Sequence, residues 1–298
     1  MTELAVVTPS YAPDVDLFAE LHRSVLRHTG DRVTHHVIVA DIDRGLFARF
    51  AGPRCRLWTA SELLPRRYLP LPRSGMRINA RRPWPPVRGW VMQQALKIAT
   101  TAALDAEVVL MADSDVVLVR DITAATFVTE GRLQLYRLPA AVHEGMADHI
   151  RWHHVARSLL GLPPDQELPL PDYVSALNVW SPGVVRAMQR QVEEVTGRSW
   201  IDAFTRRLQI SEFILYGVFV DKIAMADERA LPGNSTICHN YWDTQPLDSA
   251  RALAFADQLG DDAVGMMISA KSNTPRDIRH SAIQRCVEAA GGDHSLGR

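Results

Sequence analysis

Residues 108–117 read Val-Val-Leu-Met-Ala-Asp-Ser-Asp-Val-Val, an apolar run interrupted by two carboxylates one residue apart. The run predicts a buried β-strand over residues 107–112. If the chain turns after it, Asp113 and Asp115 can face one divalent cation, because Mg²⁺ and Mn²⁺ favour carboxylate oxygens. A solvated loop with helix-capping aspartates is the alternative, but buried strands seldom end in paired acids without a partner. We therefore predict a metal site at Asp113 and Asp115, with Ser114 beside the same ligand.

Haloacid-dehalogenase phosphatases also carry two aspartates at this spacing. In those enzymes the pair follows the first strand of the chain. Here the pair lies in the middle of the sequence, so this alternative is disfavoured.

Upstream of the aspartates, the sequence predicts an alternation of strands and helices. A short apolar strand at 4–7 stops at Thr8-Pro9-Ser10-Tyr11, and residues 15–27 have the periodicity of an amphipathic helix. A second strand at 33–40 ends at Asp41. Ligands bind at the carboxyl ends of the strands in open α/β sheets, so these strand ends predict one shared site. Capping and turn chemistry explain Thr8, Ser10 and Asp41 equally well.

A helix over residues 90–103 is predicted directly before the aspartate strand. Gln93, Gln94 and Lys97 fall within one turn and share a face. That face either points at a ligand or lies in water. Lys97 is the stronger candidate, since Lys occurs only at positions 97, 222 and 271 and its point charge suits a phosphate. The preceding segment 53–88, rich in Pro and Arg, predicts a long irregular connection.

A second half follows the aspartates. Its predicted strands are 133–138, 173–180 and 263–268, and its predicted helices are 149–160, 182–196 and one that begins near 211. The whole pattern predicts an α/β fold with one domain over residues 1–285, divided after 125, and a C-terminal tail at 286–298.

The order of these features resembles the GT-A glycosyltransferases, including the glycogenin-like branch. Thr8-Pro9-Ser10-Tyr11, the helix that carries Gln and Lys, and the Asp-Ser-Asp strand carry the resemblance, which spans residues 4–275. It implies a Rossmann-like mixed sheet flanked by helices, with a nucleotide-binding half (1–125) and an acceptor-binding half (126–285). It also implies a UDP- or GDP-sugar donor held through Mn²⁺ or Mg²⁺ at the Asp pair, and a small-molecule or glycan acceptor.

The resemblance implies further roles in donor binding. Tyr11 would stack on the base, and Asp41 would accept hydrogen bonds from a uracil ring or a ribose. Asn178 lies in a strand that resembles the one beneath the transferred sugar, although the pattern departs around it, and a buried Asn that satisfies backbone groups is the alternative. Lys271 could clamp the diphosphate or lie in a plain surface turn. The Arg-rich loop 66–88 is expected to close over the donor and exclude water.

Two residues complete the predicted catalytic and metal set. Glu212 would face the acceptor as general base or orienter, although an acid directly after Ser211 is also ordinary helix-start chemistry. His239 would close the metal site, since similar enzymes place a C-terminal His there and imidazole is an acceptable ligand for Mn²⁺. The sequence contains eleven histidines, so a surface or core role is the alternative.

Composition disfavours several other classes of protein. The chain has 298 residues, 47% of them apolar, and a formal net charge of -1, which argues against a general nucleic-acid binder. Cys55, Cys238 and Cys286 are odd in number and widely spaced, so neither a disulfide framework nor a zinc cluster is expected. Neither a signal-peptide pattern nor an apolar span of ~20 residues is present. We expect a cytoplasmic protein with no membrane span.

Two rival functions remain at this stage. A nucleotidyltransferase that makes nucleotide sugars would carry a Gly-rich loop with a basic end after the first strand, which residues 8–13 lack. A non-catalytic nucleotide-sugar binding protein would retain the Asp pair but give no turnover. The donor base and sugar, the acceptor, the stereochemical outcome and the oligomeric state stay open.

Overall fold

The computed structural model describes residues 2–71, 74–164, 167–224, 231–233 and 236–291. The strands are β1 (Thr2–Pro9), β2 (Thr34–Val39), β3 (Cys55–Thr59), β4 (Tyr68–Pro70), β5 (Arg77–Asn79), β6 (Arg82–Val87), β7 (Ala106–Ala112), β8 (Val116–Leu118), β9 (Val128–Thr129), β10 (Arg132–Tyr136), β11 (Leu138–Val142), β12 (Leu170–Asp172), β13 (Leu177–Trp180), β14 (Leu231–Gly233), β15 (Cys238–Tyr241) and β16 (Gly265–Ile268). The α-helices are α1 (Val15–His28), α2 (Arg44–Phe47), α3 (Ala60–Leu63), α4 (Gly89–Ala103), α5 (Ala147–Leu160), α6 (Pro182–Thr196), α7 (Trp200–Thr205), α8 (Glu212–Lys222), α9 (Ser249–Ala256) and α10 (Arg276–Ala289).

A five-stranded sheet in the order β13-β7-β1-β2-β3 forms the centre of the molecule. The first three strands and β7 run parallel, and β13 runs antiparallel to β7. The strands predicted at 4–7, 33–40 and 107–112 are confirmed as β1, β2 and β7. The expected mixed α/β sheet flanked by helices is therefore confirmed.

Both faces of this sheet are buried. Successive residues of a strand point to opposite sides, so neighbouring residues of one strand lie in different cores. In β1, Ala5 and Val7 belong to a core that also holds α4, α6 and α8. Leu4 and Val6 belong to a second core beneath α1. This two-sided burial explains why β1 and β7 are continuous apolar runs rather than alternating ones.

A smaller sheet continues from the end of β7. Its order is β15-β16-β8, with β8 antiparallel to β16. Since β8 begins at Val116, directly after Asp115, the Asp-Ser-Asp turn connects the two sheets. Helices α9 and α10 cover the outer face of this smaller sheet.

The prediction of an irregular connection over 53–88 was wrong. Strand β3 extends the central sheet beside β2, and β4, β5 and β6 form an antiparallel sheet of their own. Three prolines in β6, at positions 83, 85 and 86, masked the strand in the sequence. Prolines are tolerated there because β6 is an edge strand of its sheet.

Two other boundaries differ from the prediction. The strand predicted from 173 begins only at Leu177. Helix α10 runs to Ala289 and so crosses the predicted tail boundary at 286, while 292–298 lie outside the described residues. Within the described residues, none of the helices combines the length and the apolar character needed to cross a bilayer.

Candidate functional site

The candidate site lies where β1 and β7 end side by side. From β1 the chain proceeds outward through β2 and β3, and it then returns to place β7 on the other side of β1. This reversal is a topological switch point, which is where open α/β sheets bind ligands. Pro9 and Ser10 end β1 at this edge, and Asp113 follows β7.

A tight turn holds the two aspartates beyond β7. The Asp113 amide donates to the carbonyl of Ala176 at 3.2 Å, and the Val116 amide donates back to the Asp113 carbonyl at 3.1 Å. The second bond closes the turn around Ser114 and Asp115. The Asp113 side chain is 36% exposed, so its carboxylate remains open to a ligand.

Lys97 on α4 is buried between two carboxylates. Its Nζ lies 3.1 Å from Asp113 Oδ1 and 3.0 Å from Glu212 Oε1, although the three residues are far apart in sequence. Burial alone would lower the pKa of Lys97, but the charges of Asp113 and Glu212 outweigh it and the pKa is raised. Lys97 therefore stays protonated and fixes the Asp113 carboxylate.

Helix α8 begins at this buried ion pair. The Ser211 hydroxyl caps the helix by accepting from the amide of Ile214, and Gln94 Oε1 accepts from the amide of Glu212 at 2.9 Å. Only 4% of the Glu212 side chain is exposed. Glu212 is thus engaged by Lys97 and buried, and its role as general base or acceptor orienter stays a prediction. Of the predicted polar helix face, Gln94 and Lys97 are buried inward and Gln93 is half-buried.

Asp115 is held from the second sheet. Its Oδ2 accepts from the amide of Ala270 at 2.8 Å. Burial and then the like charge of Asp113 raise the pKa of Asp115 to about 6. Lys271 is exposed and follows Ala270, whose amide bonds Asp115.

Arg279 is a structural residue of the site that the sequence did not reveal. It is buried on α10, and its guanidinium donates to the carbonyls of Asp115 at 2.7 Å and Ile268 at 2.8 Å and to the Glu20 carboxylate at 3.0 Å. It thus locks the turn to α1 and to the second sheet. One arginine among many in an amphipathic helix gives no signal of this role in the sequence.

Asp14 is a third carboxylate at the same edge and was also missed. The Ser114 hydroxyl donates to Asp14 Oδ2 at 3.0 Å. Burial raises the pKa of Asp14, the Ser114 bond opposes this, and the charge of Asp113 adds to it. The pKa of Tyr11, which is 49% exposed, is raised by burial and then by Asp14 and Asp115. Tyr11 therefore lies near these carboxylates, and its stacking on a base stays a prediction.

At the end of β1, the predicted residues divide into core and site. Thr8 is fully buried and its hydroxyl bonds His35 Nε2 at 2.9 Å, which is a core role, and Pro9 is buried beside it. The Ser10 hydroxyl is buried and has no hydrogen-bond partner among the described residues. A buried polar atom without a partner is rare and marks Ser10 as a candidate ligand contact.

Asp41 ends β2 as expected but is already engaged by protein groups. Its carboxylate bonds the Arg77 guanidinium and accepts from the Ser61 amide at 3.3 Å. Burial acts to raise the pKa of Asp41, but the Ser61 and Arg77 contacts lower it overall. Asp41 thus anchors β5 to the central sheet. This contact also corrects the expectation of a free Arg-rich loop, since Arg77 is buried.

Asn178, expected beneath the transferred sugar, and His239, expected at the metal site, are both engaged by backbone carbonyls. Asn178 is buried on β13 and donates to the Tyr173 carbonyl at 2.9 Å, which is the backbone-satisfying alternative. His239 Nε2 bonds the carbonyl of Phe255 at 2.7 Å, and its ring stacks on that residue. Burial, and then the charges of Asp115 and Asp113, raise the pKa of the neighbouring Cys238. His239 therefore points to the opposite face of β15, which corrects its predicted place in the metal site.

Asp113 and Asp115 are suited to a cation whose coordination is completed by oxygens of a bound ligand. Asp113 uses Oδ1 for Lys97 and Asp115 uses Oδ2 for Ala270, so each keeps a second oxygen that could face a cation. No cluster of three or more His, Cys, Asp or Glu with metal-binding geometry occurs within the described ranges. Mg²⁺ is commonly held by one or two carboxylates together with substrate phosphates, so a two-aspartate site suits that chemistry.

Comparison with known proteins gives a family and two distant likenesses. The model of a family described as "Family of unknown function (DUF6492)" matches residues 4–279. No curated protein matches the sequence. The apo crystal structure of mouse xyloside xylosyltransferase 1 has a TM-score of 0.46 and 11% identity over 92% of this chain and 100% of that chain. The galactosyltransferase LgtC, in complex with donor and acceptor sugar analogs, has a TM-score of 0.46 and 14% identity over 96% and 95%. Likenesses at this level assign neither a fold family nor an activity.

Proposed function

The chain belongs to DUF6492, a family of unknown function, and we propose that it transfers a sugar from a nucleotide-diphosphate sugar to an acceptor hydroxyl. The observation that carries the proposal is the acidic turn of Asp113 and Asp115 at the switch point of the central sheet. That point is where sheets of this kind bind nucleotides. A GT-A fold and dependence on a divalent cation are parts of the same proposal.

The donor would lie along the carboxyl ends of β1 and β7. Asp113 and Asp115 would hold the cation, which when bound neutralises the departing nucleoside diphosphate. In this proposal Ser10, whose buried hydroxyl has no hydrogen-bond partner among the described residues, and the exposed Lys271 would contact phosphate or ribose oxygens. The exposed ring of Tyr11 supports stacking on the base.

Lys97 and Glu212 would act through Asp113. With Glu212 buried beneath it, Lys97 orients one oxygen of Asp113 and leaves the other toward the ligand. We assign Glu212 as a positioning residue rather than as the base. Glu212→Gln should therefore lower donor affinity together with turnover, whereas loss of a base would lower turnover alone.

The acceptor would approach along the start of α4. Trp90 is 43% exposed, and its ring centroid lies 5.6 Å from that of Trp152. Its carbonyl accepts from Gln94 Nε2 at 3.5 Å, and Gln94 in turn binds the amide of Glu212. This pair of rings gives an aromatic surface about two helical turns from Lys97 of the buried ion pair, which suits a sugar acceptor.

The proposal is tested by thermal shift with UDP-, GDP- and dTDP-sugars in Mn²⁺ or in EDTA. We expect stabilisation only when nucleotide and cation are both present, because the carboxylates alone would repel a diphosphate. Asp115→Asn should abolish the shift. The matched control is Asp105→Asn, which removes an exposed carboxylate next to the opposite end of β7.

Product analysis separates sugar transfer from its rivals. Release of free nucleoside diphosphate with an acceptor supports transfer. Pyrophosphate release from a nucleoside triphosphate and a sugar phosphate would identify a nucleotidyltransferase instead. Equal nucleotide binding in EDTA, unchanged by Asp115→Asn, would contradict the central claim.

A further inference from the structure

Two adjoining cavities lie between the β4–β6 sheet and the segment that joins α6 to α7. Their volumes are about 400 Å³ and about 290 Å³, and Arg82, Arg198 and Arg206 line both. Neither cavity includes a residue of the acidic turn. Six arginines line the two cavities together, and we call this region the arginine cleft: Arg67, Arg81, Arg82, Arg198, Arg206 and Arg207.

The arginine cleft has one carboxylate, and that carboxylate is already satisfied. Asp202 accepts from Arg67 Nη2 at 3.0 Å, from the Tyr68 hydroxyl at 2.6 Å and from Asn79 Nδ2 at 2.9 Å. Burial acts to raise the pKa of Asp202, but its contacts with Tyr68, Ser199 and Arg67 lower it overall. Asp202 therefore neutralises the charge of Arg67 and does not neutralise the other arginines that line the cleft.

Among the described residues, the other guanidinium groups of the cleft have no acidic partner. Arg81, Arg82, Arg198 and Arg206 contact no carboxylate anywhere in the part of the chain that the structure describes. Arg207 donates to the Ser158 hydroxyl at 3.4 Å, and burial lowers its pKa. The whole chain carries a net charge of -1, so this local excess is a property of the cleft and not of the composition.

We propose that the arginine cleft binds a small polyanion, a molecule that carries two or more phosphate groups, at a site separate from Asp113 and Asp115. Guanidinium groups bind phosphate oxygens in pairs through their planar forks. A cavity of about 400 Å³ lies within the range of small-molecule sites. The phosphates can belong to a free metabolite or to a lipid headgroup, and both present the same chemistry.

Binding in the cleft requires no metal, because the arginines supply the positive charge themselves. The acidic turn, by contrast, needs a cation before it can accept a phosphate. The β4–β6 sheet contacts the central sheet as well as the cleft, since Arg77 of β5 bonds Asp41 after β2 and Asn79 of β5 bonds Asp202. The inference is independent of the proposed sugar transfer.

Calorimetric titration of the full chain with tripolyphosphate in EDTA tests the site. We expect binding in wild type, and a loss of roughly tenfold or more in affinity in the double variant Arg198→Ala/Arg206→Ala, because two charge-assisted contacts are removed. The matched control is Arg132→Ala/Arg190→Ala, which removes two exposed arginines outside the cleft. Asp115→Asn should retain binding.

The outcomes are separable. Equal weakening in both double variants would mean diffuse charge attraction and would overturn the site, as would no binding to wild type. A preference for long DNA with no affinity for tripolyphosphate would also overturn it. Phosphatidylcholine vesicles with and without a phosphatidylinositol bisphosphate distinguish the two sources of phosphate. Cosedimentation with the bisphosphate vesicles that tripolyphosphate abolishes supports a lipid headgroup. No cosedimentation by a protein that still binds tripolyphosphate supports a soluble ligand.

Discussion

The acidic turn and the arginine cleft each gather like charges, but the protein treats those charges differently. At the acidic turn, the buried cation of Lys97 is shared between Asp113 and Glu212, and Arg279 locks the backbone behind Asp115. In the arginine cleft, one carboxylate faces six guanidinium groups. The first region is built into the core, whereas the second is assembled on its surface from loops.

The two regions would therefore interact differently with an anion. A phosphate approaching Asp113 and Asp115 is repelled until a cation intervenes, so that region can select for a metal complex. A phosphate approaching the cleft is attracted directly. The charge of the cleft is also constant, since arginine stays protonated across the usual pH range, whereas the pKa of Asp115 is about 6.

The largest effect is expected from the core of the acidic region. Lys97→Met should lower the free energy of unfolding by about 3–5 kcal/mol, because it leaves the Glu212 carboxylate buried without its partner. Urea denaturation of the variant measures this change.

The double variant Lys97→Met/Glu212→Gln is the control for that measurement. Removing both charges should recover most of the lost stability, since no buried charge remains unpaired. A single variant as stable as wild type would show that the ion pair does not organise the turn, and the contrast between the two regions would fail.

The position of the acidic turn at the end of β7 could be predicted from the sequence, because the residues that specify it are neighbours in the chain. Asp113 and Asp115 follow an apolar strand directly, and Ser10 and Tyr11 follow another, so parallel pairing of β1 with β7 brings them together. The approach of Lys97 to Glu212 was beyond prediction. The two residues are joined only by the packing of α4 against α8, which no local pattern encodes.

The arginine cleft shows where sequence reasoning fails. Its arginines come from the hairpin of β5 and β6, the residue before β4, and both ends of α7. Prolines in β6 predicted an irregular loop that would close over the donor, yet edge pairing makes it a strand. His239 failed for a related reason. Alternation along β15 decides which side chain faces the aspartates, and the register there cannot be read from the chain alone.

The second prediction concerns pH and applies to the acidic turn alone. The pKa of Asp115 is raised from 3.8 to about 6, so between these values the folded state binds more protons than the unfolded state. In EDTA, ionisation of Asp115 should therefore lower the free energy of unfolding by about 1–3 kcal/mol as pH rises from about 4 to about 6. Comparing Asp115→Asn with wild type across that window isolates its contribution, and parallel curves would contradict the shift.

A smaller loss is expected for Arg67, the cleft arginine that pairs with a carboxylate within the described residues. Arg67→Ala removes two bonds to Asp202, at 3.0 and 3.3 Å, from a carboxylate that is mostly buried. Asp202 keeps Tyr68 and Asn79, so the cost should be about 1–2 kcal/mol rather than that of a bare buried charge. Denaturation with Arg49→Ala as the control checks this, because the Arg49 guanidinium lies over the ring of Phe50 and has no carboxylate partner in the described chain. Equal losses in the two variants would show that the bonds to Asp202 contribute nothing.

The smallest effect on stability is expected at Arg206, where an unchanged free energy of unfolding is the informative result. Arg206 is exposed, bonds no carboxylate in the described residues and stands among other guanidinium groups. Arg206→Ala should change the free energy of unfolding by less than ~0.5 kcal/mol, and a slight gain is expected because the variant relieves repulsion. The same substitution should weaken tripolyphosphate binding, so stability and binding separate at one residue. The matched control is Arg190→Ala, which removes an exposed arginine on α6, outside the cleft. It should leave both quantities unchanged. If Arg206→Ala costs as much stability as Arg67→Ala, then Arg206 serves the fold, its charge is not held for a ligand, and the cleft loses the feature that sets it apart from the acidic turn.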